Sequence, residues 1–368
     1  MATYYVDPVS GSDGAAGTSF GAAWATTQKA VDTAVAGDIV YLCATGEESI
    51  TAKIDMDTNA GGAITPIRFI AANSSGMVDG TKYTIKATSA ITAILDFAAA
   101  SDYTIWRGVV FNGNSNATYC IYNNVDGSGP HVFRGCTMKN ATSHGVYVRG
   151  ATGTYEWQFY NCRITANGGS GLAHSTGNRG QMFLFGCSVD NNTANGWLLD
   201  KNLCVADTCL FYRNGSDGIE MGSNSDYSSV MQCTFYLNAH AGIELFNATS
   251  REHYQIAQNS FVSNGTYGIK FQTGNEFTAL YCDYNHAYNN TSGATDLSGN
   301  LLPGYSNQTG DPLFIAVGAG SEDFRLAAGS PLIGAGLNGT NIGAMGQYPS
   351  AAGGGGIPVI GGRVARRS

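Results

Sequence analysis

Charged residues are scarce in this chain. Only 12% of its 368 residues are Asp, Glu, Lys or Arg, and the formal net charge is −8. A nucleic-acid-binding protein needs a basic field that replaces the counterions of the phosphates. The one basic cluster, Arg363, Arg366 and Arg367, lies at the end of the chain, where we interpret it as a solubilising terminus. The composition therefore excludes a nucleic-acid partner.

Long apolar runs are also missing. No stretch reaches the ~18 apolar residues of a membrane span, so we expect no membrane insertion. Residues 1–20 lack the charged start and apolar stretch of a signal peptide.

Proline is rare, at 8 residues, whereas glycine is abundant, at 50. A chain of this composition turns often and forms few helices. Its 43% hydrophobic residues nevertheless exclude general disorder.

An internal repeat accounts for this composition. The key positions are Cys136, Cys162, Cys187, Cys209, Cys233, Asn259 and Cys282, at intervals of 26, 25, 22, 24, 26 and 23 residues, and Val109 extends the series backwards by 27. Nine residues after the first six key positions come Gly145, Gly171, Gly196, Gly218, Gly242 and Gly268. Five residues after five of them come Asn167, Asn192, Asn214, Asn238 and Asn264.

Each repeat unit alternates inward and outward residues on either side of an Asn–Gly corner, which is typical of two short strands joined by a turn. No part of a unit is helical, so successive coils must pair in parallel. The sequence therefore predicts an all-β, single-stranded parallel β-helix with 22–27 residues per coil. General crossover preferences favour a right-handed solenoid.

Both ends differ from the repeat. Residues 28–36 have helical spacing, with Thr26 or Thr27 as N-cap and Gly37 as the stop, and predict a capping helix. We divide the chain into an N-terminal strand and capping helix (1–45), coils (46–300), a closing segment (301–348) and a glycine-rich tail (349–368).

The repeated cysteines and asparagines have structural interpretations. Six cysteines, including Cys282, are predicted to share one inward column as small buried thiols rather than disulfides or zinc ligands. The asparagines are predicted to form an internal ladder of stacked amides. The six histidines share no column and show no ligand spacing.

The two ends also carry a family resemblance. The start, from Tyr4-Tyr5-Val6-Asp7 through residues 24–41, resembles the entry segment of pectate-lyase-like right-handed β-helix proteins. Asp311-Pro312-Leu313-Phe314 and Gly329-Ser330-Pro331 are similar to their closing segment. The resemblance implies this fold over residues 4–346 and a polysaccharide partner. Since the superfamily includes lyases, hydrolases and phage tailspikes, it leaves the activity open.

Enzymes of this superfamily work on the outside of one parallel sheet, so the outward columns contain the candidates. Asp200, Asp217, Glu220, Glu244 and Lys270 are predicted to form one patch over four coils. Tyr212 and Tyr236 occupy matching outward positions. They are candidates for stacking on a sugar, or simply good strand formers.

Three interpretations of the patch remain open. In a lyase, carboxylates would hold Ca²⁺ and Lys270 would abstract a proton. In a hydrolase, Glu220 and Glu244 would form a retaining pair about 5 Å apart. Alternatively, Lys270 neutralises Glu244 in a solvent-facing charge ladder.

The first functional hypothesis is a polysaccharide-binding, tailspike-like protein of a virion or cell surface. It would form homo-oligomers through residues 349–368, whose segment 357–360 is apolar enough to dock on a partner. The alternative is a polysaccharide lyase or glycoside hydrolase acting at the patch. The sequence indicates no definite cofactor, and Ca²⁺ is a candidate.

Overall fold

The computed structural model describes residues 1–56, 65–97, 103–123, 130–148, 155–174, 180–200, 202–222, 225–246, 253–271, 280–296, 304 and 306–344. Within these ranges the regular secondary structure is almost entirely β-strand, with one α-helix, Thr27–Thr33, and two short 3₁₀ turns, Phe20–Ala22 and Leu337–Gly339. None of these helices has the length and apolar character that crossing a membrane requires. The tail at 349–368 lies outside the described residues, so assembly through it stays a prediction.

The strands form three long parallel sheets and one antiparallel pair. Sheet A contains Thr3–Val6, Ile39–Cys43, Ile67–Ala72, Thr104–Arg107, His131–Arg134, Tyr155–Tyr160, Gly180–Phe185, Val205–Asp207, Ser229–Met231, Tyr254–Ala257 and Leu280–Asp283. Sheet B contains Glu47–Ile50, Tyr83–Ala87, Val109–Asn112, Thr137–Lys139, Arg163–Thr165, Ser188–Asp190, Leu210–Tyr212, Thr234–Tyr236, Ser260–Val262, His286–Tyr288 and Gln308–Thr309. Sheet C contains Ile54–Asp55, Ile91–Phe97, Ala117–Asn123, Val146–Val148, Leu172–His174, Trp197–Leu199, Ile219–Met221, Ile243–Leu245, Tyr267–Phe271 and Gly293–Thr295. The antiparallel pair is Phe314–Ala316 with Asp323–Leu326.

Each coil contributes one strand to each sheet, and each strand pairs only with the coils before and after it. This topology confirms the predicted parallel β-helix. Because the pairing is in register, equivalent side chains of successive coils lie in columns about 4.8 Å apart. Inside, the columns form a continuous core, as in the stacked rings of Phe211, Phe235 and Phe261, whose centroids are 5.1 and 4.9 Å apart.

The predicted helix caps the first coil. The Thr26 side chain accepts a hydrogen bond from the Lys29 amide at 3.1 Å, which makes Thr26 the N-cap. Ala30 and Val31 are buried against the core. The helix ends three residues before the predicted Ala36, because Ala34 is already extended.

The asparagine ladder is confirmed at the corner between sheets B and C. The Nδ2 of Asn214 donates to Oδ1 of Asn238 at 2.9 Å, and Nδ2 of Asn238 donates to Oδ1 of Asn264 at 3.0 Å. The same amide groups also bond to main-chain carbonyls inside the coil, such as Phe211 O at 3.0 Å from Asn238. The corner positions require glycine because the main chains of successive coils lie very close together there. A Cβ on Gly196 would lie 2.5 Å from the carbonyl oxygen of Gly218.

The cysteine column lies at the corner between sheets A and B. All nine cysteines are buried, and none forms a disulfide. The Cys187 amide donates to Sγ of Cys209 at 3.4 Å. The thiol thus accepts the same main-chain hydrogen bond that an asparagine side chain accepts at other positions of this column. The predicted membership of Cys282 is wrong. It pairs with Ile256 in sheet A, and the column continues through Asn259 to Asn285, whose Oδ1 accepts from the Asn259 amide at 3.0 Å.

Candidate functional site on sheet C

The outward column of sheet C brings three of the predicted residues together. Glu220 pairs with Glu244, and Glu244 pairs with Lys270, on three successive strands. The register follows from the Asn–Gly corner. Each of these three residues lies two positions after its corner glycine, so the same position of each coil points outward. Lys270 Nζ lies 2.7 Å from Glu244 Oε1, so the predicted cross-strand ion pair is present.

A second column runs along the corner that precedes these strands. Its side chains accept hydrogen bonds from the amides of the next coil: Asn195 Oδ1 accepts from Asp217 N at 3.0 Å, and Asp217 Oδ1 accepts from Ala241 N at 2.8 Å. Asp217 is only 2% exposed. Its carboxylate is therefore part of the corner, rather than an exposed ligand at the edge of the face.

His240 joins the cluster, which the sequence analysis missed. Its Nδ1 lies 2.8 Å from Asp217 Oδ1 and 3.0 Å from Glu244 Oε2. Its Nε2 lies 3.4 Å from Lys270 Nζ. His240 lies in a turn, where period-two alternation does not set the side-chain direction. The sequence offered one signal that His240 lies near Asp217: it is two residues before the corner glycine Gly242, one coil after Asp217.

Glu244 is buried, at 3% exposure, and both of its oxygens have partners, Lys270 and His240. The interpretation of this column as a solvent-facing charge ladder is therefore wrong at Glu244. The same burial removes the basis for Glu244 as an exposed nucleophile, because a sugar ring would have to displace both partners to reach it.

Glu220 is half-buried and accepts a hydrogen bond from Asn195 Nδ2 at 2.6 Å. Burial raises the pKa of Glu220, and the hydrogen bond from Asn195 partly opposes the shift. Burial also raises the pKa of Asp217, against the amide bond from Ala241 and the nearby imidazole of His240. A carboxyl group with a raised pKa and partial exposure is suited to donate a proton.

Asp200 directly follows the strand Trp197–Leu199, one outward position beyond Leu198. It is 8% exposed and lies over Gly222, where a Cβ would be 2.6 Å from its Oδ1. The small residue of the next coil therefore accommodates this carboxylate at the border of the cluster.

Tyr212 and Tyr236 lie on a different sheet and are covered. Both belong to sheet B and both are 8% exposed. Phe324 of the closing segment packs on them with ring centroids 5.3 and 5.4 Å away. The prediction that they stack on a sugar is therefore wrong, because a strand far along the chain already occupies their outer surface.

The donor set of the cluster does not fit Ca²⁺. Asp217, His240 and Glu244 offer ligand atoms within 4.8 Å of one another, but one of the three is an imidazole nitrogen. Ca²⁺ takes six to eight oxygen ligands, whereas a nitrogen and two carboxylates suit transition metals. The ammonium of Lys270 already provides the neutralising charge beside Glu244.

The cluster thus has a buried layer and an accessible layer. Asp217 and Glu244 are buried and converge on one nitrogen of His240. His240 and Lys270 keep side-chain exposures of 32% and 27%, beside the half-buried Glu220. An imidazole, an ammonium and a carboxyl group therefore face outward together, which provides a base, a cation and an acid.

Comparisons with known proteins agree with the fold. The chain is similar to a pectate lyase, Pel9A, at 16% identity over 94% of this chain and 96% of that chain, with a TM-score of 0.59. It is similar to a rhamnogalacturonan lyase at 16% identity over 86% and 91% of the two chains, with a TM-score of 0.53. A comparison with curated proteins gave no match.

Likeness at such low identity shows the fold alone. The family assignment comes from the model of the right handed beta helix region, which matches residues 107–292, half of the chain. This range includes every residue of the cluster described above. The protein therefore belongs to the right-handed β-helix family, with a fold of the pectate-lyase-like type.

Proposed function

We propose that the protein cleaves a uronate-containing polysaccharide by β-elimination at the cluster on sheet C. The observation that carries this proposal is His240, whose Nδ1 is held by two buried carboxylates at 2.8 and 3.0 Å. The names of the two lyases among the similar structures support the same class of substrate.

His240 is the base. Its contacts are satisfied when Nδ1 carries the proton, donates it to Asp217 or Glu244, and leaves the Nε2 lone pair toward Lys270. Buried carboxylates in this position orient an imidazole and stabilise the imidazolium that forms when Nε2 takes a proton. Asp217 and Glu244 are therefore positioning residues rather than catalytic ones.

Lys270 supplies positive charge. Its Nζ forms an ion pair with Glu244 Oε1 at 2.7 Å, so we assign Lys270 the role of the cation and not that of the base. An ammonium at the surface of the cluster instead binds the carboxylate of a uronate. That contact draws Lys270 away from Nε2 of His240 and stabilises negative charge on the substrate during proton removal.

Glu220 is the acid. His240 Nε2 removes the proton on the carbon beside the uronate carboxylate, a double bond forms, and the bond to the leaving sugar oxygen breaks. Glu220, whose pKa burial raises, gives its proton to that oxygen. His240 then releases its proton to water and Glu220 regains one, so the cycle balances without an oxidant.

The test is a cleavage assay on acidic and neutral polysaccharides that follows unsaturated ends and new reducing ends. We expect unsaturated ends, and a loss of roughly 10²- to 10⁴-fold in turnover for Glu220→Gln and for His240→Gln. Glu47→Gln, an exposed carboxylate on sheet B, is the matched control and should retain full activity. A chelator selective for Ca²⁺ should not lower the rate, since the donor set does not fit Ca²⁺.

Other outcomes point elsewhere. New reducing ends without unsaturation would replace elimination by hydrolysis, with Glu220 still the acid and His240 activating water. Tight binding without any cleavage would reject catalysis and favour the non-catalytic, tailspike-like role.

A further inference from the structure

A second group of side chains lies on the same outer surface of sheet C, toward the N-terminus. The rings of Tyr119, Tyr122, Tyr147 and His144 stack nearly parallel, with interplanar angles of 7° to 23°. The centroids of Tyr119 and Tyr122 are 4.8 Å apart, and those of Tyr119 and Tyr147 are 5.1 Å apart. We call these four side chains the aromatic patch.

A local irregularity creates the patch. In Ala117–Asn123, Cys120 and Ile121 are both buried, and both of their amides donate to Gly145 O, at 3.2 and 3.1 Å. The chain bends there, so Tyr119 and Tyr122 lie on either side of the bend and face the same outer surface. Period-two alternation alone would not have placed both rings outside.

The patch and the cluster share their columns. Tyr122 and Tyr147 belong to the outward column that leads, coil by coil, to Glu220 and Glu244. Ala173 and Leu198, which carry no charge, separate the two groups. Tyr147 is three coils from Glu220, which corresponds to about 14 Å along the solenoid at ~4.8 Å per coil.

The exposure of these rings distinguishes them from the structural stacks. Phe211, Phe235 and Phe261 are fully buried, whereas the four rings of the patch are each half-buried and keep part of their surface in contact with water. Aromatic stacking in this column is not needed for the coils to pair, because the next two coils pair with the non-aromatic residues Ala173 and Leu198 at the same position. Aromatic surface beside polar groups is a common feature of ligand sites.

We propose that the aromatic patch binds a sugar ring of the polysaccharide whose cleavage is proposed at the cluster. This inference rests on the proposed function and adds a substrate class to it: a polymer that lies along the solenoid axis and spans several sugars. The enzyme would then act within chains, and short oligosaccharides that reach only the cluster would bind weakly.

The test measures binding separately from cleavage, by affinity electrophoresis of the full chain in native gels that contain pectate, alginate or xylan. We expect Tyr122→Ala and Tyr147→Ala each to weaken retardation about three- to ten-fold in apparent affinity. Tyr122→Phe should keep the wild-type affinity, because the ring surface remains. Tyr281→Ala, an exposed tyrosine on sheet A, is the matched control and should have no effect. Thermal unfolding of each variant identifies any that fail to fold, and the Tyr122→Phe comparison then decides the role of the ring.

The outcomes separate the two proposals. Polymer binding that is unchanged in Tyr122→Ala and Tyr147→Ala would reject the aromatic patch and leave the cluster untouched. Binding that these variants weaken, in a protein that cleaves nothing, would support the patch and reject catalysis. Wild-type protein that none of the three polymers retards would overturn the patch as a site for this class of polysaccharide, and the cleavage assay would then judge the cluster alone.

Discussion

Sheets B and C follow the same alternation of inward and outward residues, yet their outer surfaces differ. On sheet B, the outward Tyr212 and Tyr236 are covered by Phe324 and by Phe314 of the closing segment. On sheet C, His240, Lys270 and Glu220 keep part of their surface exposed. An outward column is therefore only a candidate site, and what packs on it afterwards decides its role.

The covering is specific rather than incidental. Gly343 N donates to Gln258 O at 2.7 Å, and Ala344 N donates to Thr234 Oγ1 at 2.9 Å. These hydrogen bonds from main-chain amides, one to a carbonyl and one to a side-chain hydroxyl, thus fix the closing segment beside sheet B, in addition to the aromatic contacts.

The first prediction concerns the interior that both sheets share. His131 is fully buried between Phe97 and Trp157, and burial lowers its pKa to about 3. The unfolded chain binds a proton near pH 6.5 and the folded chain does not. Stability from this group is therefore complete above pH 6.5 and is lost as the pH falls toward 3, by up to roughly 5 kcal/mol.

The measurement is the free energy of unfolding against pH for wild type and His131→Asn. We expect the difference in unfolding free energy between the two proteins to shrink steadily as the pH falls below 6.5. Because the interior is shared, polysaccharide binding and the packing of the closing segment on sheet B should be lost together. His253→Asn, the same change at an exposed histidine, is the matched control. A difference independent of pH would show that His131 contributes through packing alone.

The second prediction separates the two sheets. Phe324 is 3% exposed in the cluster that covers sheet B, so Phe324→Ala should cost about 3 kcal/mol. Urea unfolding measures this loss, and Ile315→Ala, 53% exposed in the same antiparallel pair, should cost little. Cleavage at sheet C should be unchanged in the folded variant. Reduced cleavage would mean that the two surfaces are coupled.

The third prediction concerns the corner that joins the two sheets. Asn238→Ala removes the acceptor of the Asn214 amide group and the donor to Phe211 O, and leaves buried polar groups without partners. We expect a cost of about 2 kcal/mol in the free energy of unfolding. Asn202→Ala, at an exposed position, is the control. An equal and small effect of both would show that the ladder is a consequence of the fold and not a support for it.

The sequence predicts well which side chains align on successive coils, but poorly which later segment packs on them. Glu220, Glu244 and Lys270 were placed correctly because the Asn–Gly corner resets the phase of each coil, whatever the length of its loops. Phe324 was beyond reach, because nothing in a local repeat tells which later strand will pack on it. His240 was missed because a turn, not a strand, directs its side chain.

The error at Cys282 has a simpler cause. Cys282 was assigned to the column because it is a cysteine, whereas the column consists of the residues at the corner between sheets A and B, whatever their type. Asn285 lies 26 residues after Asn259 and is followed five residues later by Asn290, whose amide continues the ladder from Asn264 at 2.9 Å. A left-handed backbone conformation also recurs one residue before the true column positions, at Gln258 and Tyr284. Spacing between asparagines was thus the better guide.

The last and smallest prediction tests the polar edge of the covering. Arg213 contacts Glu322 Oε1 at 2.9 Å and donates to Val317 O at 3.2 Å, with side-chain exposures of 25% and 11% for the ion pair. A partly exposed pair of this kind contributes about 1 kcal/mol or less, and salt screens it. Arg213→Ala should therefore lower the unfolding midpoint slightly at low salt and less at high salt. Arg325→Ala, which removes an exposed pair with Asp323 in the same segment, should change nothing. A loss at Arg213 as large as that at Phe324, and independent of salt, would mean that charge and not aromatic packing holds the closing segment on sheet B.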